Sequence, residues 1–262
     1  MISIDKLAYV SELRKVNPME KFMFSILTMI LCISLNNIVY SILVVLFMAA
    51  ITIFKGKIPA KSYGELILIP LVFLVIGIVT IAINTVGDSK EILFSFHIFN
   101  IKLGCTKTSF LMASKIFFKA LASVSCLYFL ALTTPVFEIL TVLRKFKAPK
   151  LFVELMGLVY RFIFVLLDTA NMIFISQNSR LGYSKISTGY NSLGKLVTSL
   201  FISSYKRSQD IYTAMESRCY DGEINLIEDN FKISYRNIFV IIIVEVILVT
   251  ISLSKNIFGG II

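Results

Sequence analysis

Tryptophan is absent from this 262-residue chain, histidine occurs once, and charged residues make up only 16% of it. Each shortage excludes something. Soluble domains carry roughly 25% charged residues. With 57% hydrophobic residues and a mean hydropathy of +0.84, this chain has too little polar surface to cover a soluble body. It needs lipid as part of its solvent. The lone histidine, His97, has no Cys or carboxylate at ligand spacing, so no transition-metal site is legible. The four cysteines, Cys32, Cys105, Cys126 and Cys219, include no close pair. That excludes a zinc-knuckle spacing and a readable disulfide framework. Cys32 and Cys126 stand in apolar runs and read as small hydrophobes.

Catalytic machinery is missing too. No Ser-His-Asp set or paired carboxylates can be read, so the chain is taken as non-enzymatic, with no cofactor of its own. One segment comes near a phosphate-binding loop: Gly189-Tyr190-Asn191-Ser192-Leu193-Gly194-Lys195. The next residue has to be Ser or Thr to hold magnesium, and it is Leu196; no buried strand precedes it. If ATP powers this protein, another subunit binds it.

What is present is a series of long apolar runs. They cover residues 22–35, 38–54, 66–86, 109–134 and 238–253. The first two, joined at Asn36-Asn37, read as a short hairpin near the lower length limit of roughly 17 residues for a span. Pro70 and Gly77 inside the third are tolerated where neighbouring helices satisfy the freed backbone groups. Residues 87–107 differ. The alternating, aromatic stretch Leu93-Phe94-Ser95-Phe96-His97-Ile98-Phe99 reads as an extended or interfacial segment at the membrane surface. No cleavable signal peptide is evident, because the first 21 residues are polar and of mixed charge.

Between Pro135 and Arg236 the texture changes. Cations return every few residues while apolar residues stay dense. Glu154, Arg161 and Asp168 are spaced by sevens and share one helix face. A lipid-facing span would bear those charges at several kcal/mol each. The region is therefore read as long amphipathic helices suited to packing on another protein helix, largely cytoplasmic. The expected organisation is membrane helices in 1–134, cytoplasmic or interfacial helices in 135–236, and a last membrane helix in 237–262. This is an all-α, polytopic helical bundle of about five spans. With the N-terminus inside, nearly all of the Lys and Arg residues outside the spans fall on the inner side, as the positive-inside rule favours. The net charge of +10 thus reads as topology-setting, not as a nucleic-acid face.

Two related segments end successive helical patterns: Gln177-Asn178-Ser179-Arg180-Leu181-Gly182-Tyr183 and Ala214-Met215-Glu216-Ser217-Arg218-Cys219-Tyr220. An isolated Arg at a helix C-terminus is explained by the helix dipole. Two copies suggest paired docking points, for which the planar guanidinium is suited. The two segments resemble the paired Ala-Arg-Gly signatures of the transmembrane T components of energy-coupling factor (ECF) transporters, and the chain is similar to the cobalt-type CbiQ family. Ile4-Asp5-Lys6-Leu7-Ala8-Tyr9, Leu130-Ala131-Leu132-Thr133-Thr134-Pro135 and Tyr160-Arg161-Phe162-Ile163-Phe164-Val165-Leu166 add to the likeness, which covers roughly residues 1–225. Ser179 and Ser217 stand where the signature has Ala, and Leu181 and Cys219 where it has Gly.

The resemblance implies a subunit that joins two ABC-type ATPase subunits to a separate membrane subunit that captures the substrate. Ser179, Arg180, Leu181, Gly182, Ser217, Arg218 and Cys219 would meet the ATPases. Cobalt, or else nickel, would be the cargo, held by the partner and not here. The small residues around Gly182, Ser187 and Gly189 are expected to form a hinge. The implied location is the cell (inner) membrane, with the N-terminus cytoplasmic, lipid around the spans and no nucleic acid. A self-sufficient carrier or channel is the competing class. It would place ionisable groups at mid-membrane, and here the spans hold only Lys115, Lys119 and Glu245.

Overall fold

The computed structural model describes residues 3–35, 37–82, 84–85, 92–98, 101–222 and 234–258. The chain order is α1 (Ser3–Val10), a 3-10 turn (Glu12–Lys15), α2 (Pro18–Leu35) and α3 (Ile38–Ala50), which runs into a π-helical turn (Ile51–Lys55). There follow α4 (Ala60–Ala82), β1 (Asn84–Thr85), β2 (Ile92–Ile98), β3 (Ile101–Thr106), α5 (Lys107–Thr133) and α6 (Val136–Lys145). The chain then forms α7 (Lys150–Ser179), α8 (Ile186–Glu216) and α9 (Tyr235–Phe258).

Helix starts follow local chemistry. Asn17 caps α2 by accepting the Met19 N–H at 2.9 Å, and Pro18 takes the first helical position, where its missing N–H costs nothing. Asn37 caps α3 in the same way through the Val39 N–H, at 3.0 Å, and Thr106 caps α5 through Ser109. The π-helical turn closes when the Gly56 N–H donates to the Ile51 carbonyl at 3.0 Å. A Cβ at Gly56 would lie 2.4 Å from the Thr52 carbonyl oxygen, so only glycine fits there.

Four helices are long and apolar enough to cross a membrane among the described residues: Pro18–Leu35, Ile38–Lys55, Ala60–Ile81 and Thr108–Thr133. They match the first four expected spans. The fifth expected span falls on α9, which has 24 residues. The alternating segment before α5 forms a small antiparallel sheet in the order β1-β3-β2, with His97 in β2 opposite Lys102. The His97 side chain, and so its metal reading, lies outside the described residues.

The chain divides into two compact units, 140–229 and 2–139 with 230–262. In the larger one α5 is the central helix. Its buried positions include Ala113, Ala122, Ser125 and Cys126, small side chains that let neighbouring backbones come close. Ser25 donates to the Cys126 carbonyl at 2.7 Å, and the Tyr128 hydroxyl donates to the Leu66 carbonyl at 3.1 Å. Phe24 sits edge-on to Phe129 at 5.7 Å and to Phe47 at 6.3 Å, closing a core with Tyr40, Val44 and Met48. Cys32 and Cys126 are buried and free, as small hydrophobes.

The smaller unit is built on α7 and α8, of 30 and 31 residues. No residue of α8 is buried, and large apolar side chains along both helices stay exposed. Their apolar faces are open in the isolated chain.

Candidate functional site

α7 and α8 form an antiparallel hairpin. At the turn end, Gln177 Nε2 donates to the Ser192 carbonyl at 3.1 Å, and the Ser192 hydroxyl donates to the Gly182 carbonyl at 2.9 Å. Tyr183 closes this end. Its hydroxyl donates to Gln177 Oε1 at 2.8 Å, and its ring packs on Phe174 at 4.9 Å. At the far end, Tyr220 reaches back from beyond α8 and donates to Glu154 near the start of α7, at 3.3 Å. Its phenol is pushed above its ordinary range by desolvation and then by the charges of Glu154 and Asp221.

The two Ser-Arg segments terminate their helices in the same way, bond for bond. After α7, the Gly182 N–H donates to the Gln177 carbonyl and the Leu181 N–H to the Asn178 carbonyl, at 2.9 and 3.0 Å. After α8, the Tyr220 N–H donates to the Met215 carbonyl and the Cys219 N–H to the Glu216 carbonyl, at 3.1 and 3.0 Å. This is the paired-bond C-terminal cap, which requires one residue in the left-handed conformation. Leu181 and Cys219 supply it, with φ of 59° and 58°. Ser179 and Ser217 each return their hydroxyl to the carbonyl four residues back, Ile175 and Thr213. Arg180 and Arg218 therefore hold equivalent places, exposed at the end of a long helix with the backbone fixed on both sides.

The seven sequence-predicted residues lie at two separate helix ends. A helix of 31 residues is about 46 Å long, so the arginines lie far apart at opposite ends of the hairpin. Gly182 has its own reason to be glycine: a Cβ would come within 2.8 Å of the Gln177 carbonyl oxygen and of the Ser192 hydroxyl. The expected hinge is placed differently. Ser187 and Gly189 belong to the first turns of α8, so the non-helical connection is 180–185.

Sequence reasoning missed two members of the second site. A cleft of about 740 Å³ between α7 and α8 is lined by Arg218 together with Arg161 and Arg207. All three are exposed, and none is ion-paired among the described residues; Asp221 is the single carboxylate on the lining. Such a cleft attracts acidic groups, and arginine offers each a planar fork of donors. Spacing held the signal. Arg207 and Arg218 are eleven residues apart, about three helical turns, so a helical reading of the sequence puts them on one side, although Arg218 lies just beyond the end of α8. Arg161 comes from α7, and only the antiparallel pairing brings it in.

The comparison with known families decides the identity. The family model described as "Cobalt transport protein" (CbiQ) matches residues 10–227. The chain belongs to the CbiQ family. An uncharacterized protein of Methanocaldococcus jannaschii is 31% identical, with 94% of this chain and 91% of the relative aligned. The cobalt transport protein CbiQ of Salmonella typhimurium is 28% identical over 86% of this chain and all of its own length. The energy-coupling factor transporter transmembrane protein EcfT of Ruminiclostridium cellulolyticum is also 28% identical, over 81% and 80% of the two chains. The likeness to ECF transmembrane components drawn from the paired segments thus holds across the chain. Membership of the CbiQ family and four apolar helices make this a multi-pass membrane protein and a transport component.

Proposed function

We propose that this CbiQ-family chain is the coupling subunit of an ATP-driven importer, with cobalt as its cargo and nickel the next candidate. It would join two ABC-type ATPase subunits to a membrane subunit that captures the metal, and would itself catalyse nothing. The supporting observation is the duplicated cap: two exposed arginines with the same backbone hydrogen bonds, one at each end of the α7–α8 hairpin. Two equivalent docking points on one chain suit two copies of one ATPase. In this reading Ser179, Arg180, Leu181 and Gly182 meet one copy, and Ser217, Arg218 and Cys219 the other.

In this reading the N-terminus and the α7–α8 hairpin lie on the cytoplasmic side of the cell membrane and α9 is a fifth span, an orientation that the distribution of positive charge favours. Coupling requires an element with two arrangements that both ends bias. The hairpin has the parts: two stiff helices, a short connection at 180–185, and apolar faces left open for the substrate-capturing partner. Drawing the ATPases together would change the angle between α7 and α8, in the manner of hinge motion.

Co-purification of the tagged protein from its host tests this, with bound proteins identified by mass spectrometry. Wild type should bring down an ABC-type ATPase, and the double variant Arg180→Glu with Arg218→Glu should lose it while remaining folded in the membrane. An ATPase retained by the double variant would reduce both arginines to helix caps.

A further inference from the structure

Three helix ends converge on one side of the span-forming unit. α2 begins at Pro18, the π-helical turn after α3 ends at Lys55, and α9 begins at Tyr235. The start of α9 is fastened to the start of α2 through Glu20, which is 5% exposed. Its carboxylate accepts the Ser234 N–H at 2.8 Å and the Asn237 side-chain amide at 3.0 Å. Between these ends lies a cavity of about 470 Å³, inside the roughly 300–1,000 Å³ range of ligand sites.

Its walls are apolar, with Phe24, Phe47, Phe129, Ile51, Val240 and Val244 among them. Four charged residues also line it: Glu20, Lys21, Lys55 and Arg236. Two of these are already committed. Glu20 holds α9, and Lys21 donates to the Thr133 carbonyl at 2.9 Å and pairs with Glu138 at 3.7 Å. Lys55 and Arg236 are exposed, and neither has an ion pair among the described residues. The cavity therefore carries two uncommitted positive charges against an apolar wall.

Because α2 and α3 are apolar enough to cross the bilayer, their paired ends lie where lipid headgroups lie. A soluble anion would satisfy the cations and leave the aromatic wall wet. A neutral apolar molecule would fill the wall and leave the cations without a counter-charge. An anionic head joined to an apolar tail satisfies both. We infer that this cavity binds one anionic phospholipid, with the headgroup phosphate held by Lys55 and Arg236 and an acyl chain along Phe24, Phe47, Val240 and Val244. The lipid fills the space that α9 leaves against α2 and α3 and adds a charged contact at the start of α9. Basic pockets between spans on the cytoplasmic side are where anionic headgroups bind. The inference stands apart from ATPase docking, since it uses no residue of α7 or α8.

The test uses the full chain, delipidated in detergent and titrated with palmitoyl-oleoyl phosphatidylglycerol or the matching phosphatidylcholine. Native mass spectrometry reads the bound lipid, and the unfolding midpoint is followed in parallel. One phosphatidylglycerol per chain should bind about 25-fold more tightly than phosphatidylcholine, two cations each adding roughly a factor of five. Lys55→Glu with Arg236→Glu should abolish the preference but leave weak binding of either lipid. Val240→Trp, which fills the cavity, should weaken both lipids without restoring any bias. Equal binding of the two lipids by wild type, or a preference that survives the charge reversal, would overturn the assignment. So would a shift in midpoint with inorganic phosphate as large as that with phosphatidylglycerol, since the apolar wall would then play no part.

Discussion

Leu181 and Cys219, 38 residues apart, hold one left-handed backbone conformation, each directly after an exposed arginine that ends a long helix. Their side chains differ in size and chemistry, and their amide groups make equivalent bonds. The cap is fixed by backbone geometry and survives the loss of the glycine that would suit it best.

That geometry carries a penalty. A non-glycine residue in the left-handed region is disfavoured by roughly 1 kcal/mol. Leu181→Gly and Cys219→Gly should each stabilise the protein by about that much. The unfolding midpoint should rise by about 2–4 °C per substitution. A fall in midpoint for either would show that its side chain makes a compensating contact.

Gly182 and Gly189 make a paired test of where the connection lies. Gly182→Ala forces a Cβ to within 2.8 Å of a backbone oxygen and should destabilise the hairpin by about 1–3 kcal/mol. Limited proteolysis should then open the chain at 180–185. In Gly189→Ala the new Cβ meets only Tyr183, at 3.8 Å, inside a helix that gains from alanine. That variant should be neutral or slightly more stable, and should resist the protease like wild type.

The arginine cleft predicts a graded effect if Arg218 is a docking point. Arg161→Glu and Arg207→Glu should each weaken ATPase co-purification several-fold, and Arg218→Glu more. Quantitative mass spectrometry of the captured ATPase, against the amount of bait, measures the order. Full retention in Arg161→Glu and Arg207→Glu would confine docking to the cap itself.

Glu138 gives a dependence on pH. Burial raises its carboxyl above the ordinary range, although Lys21 and Arg14 pull it down. An acid whose folded-state pKa is raised binds its proton more tightly when folded. Its favourable contribution is present below the unfolded value, near about 4.3, and is lost as pH rises through the folded one. The stability of wild type relative to Glu138→Gln should therefore fall as pH rises above that unfolded value. Thermal unfolding of both proteins between pH 4 and 7 reads it, and a constant difference would count against the burial of Glu138.

In the core, Glu245 is 4% exposed and shares a short hydrogen bond with the hydroxyl of Thr28, joining α9 to α2. Glu245→Ala should cost about 1–3 kcal/mol by breaking that bond in an apolar setting. Unfolding in detergent should show it, and Glu245→Gln, which keeps the bond, should recover most of the loss.

Much of the bundle was legible because the bilayer leaves so few solutions. Runs such as 38–54 and 109–134 must be helical, since no other backbone satisfies its own hydrogen bonds in lipid. The caps at Asn17 and Asn37 emerged only with the structure, because hydropathy located the runs and not the side-chain oxygens that start them. The stretch 93–99 was visible only as alternation, and the strand 101–106 was not read, because β3 is defined by its pairing with β2 on one side and β1 on the other. The arginine pair was legible as a repeat of letters. That both copies end in one cap was not, since Leu181 and Cys219 carry no sign of a left-handed φ.

The sequence by itself determined that this chain lives in a membrane, where its spans run, and which two arginines recur. Hydrophobic content and helical period are local properties, and a bilayer makes them decisive. Only the tertiary structure decided that Arg161 and Arg207 join Arg218, that Arg180 stands at the opposite end, and that Lys55 and Arg236 share one cavity. Those groupings depend on which helices pair and in what direction. Residues brought together that way lie up to 181 positions apart, and no local pattern records them.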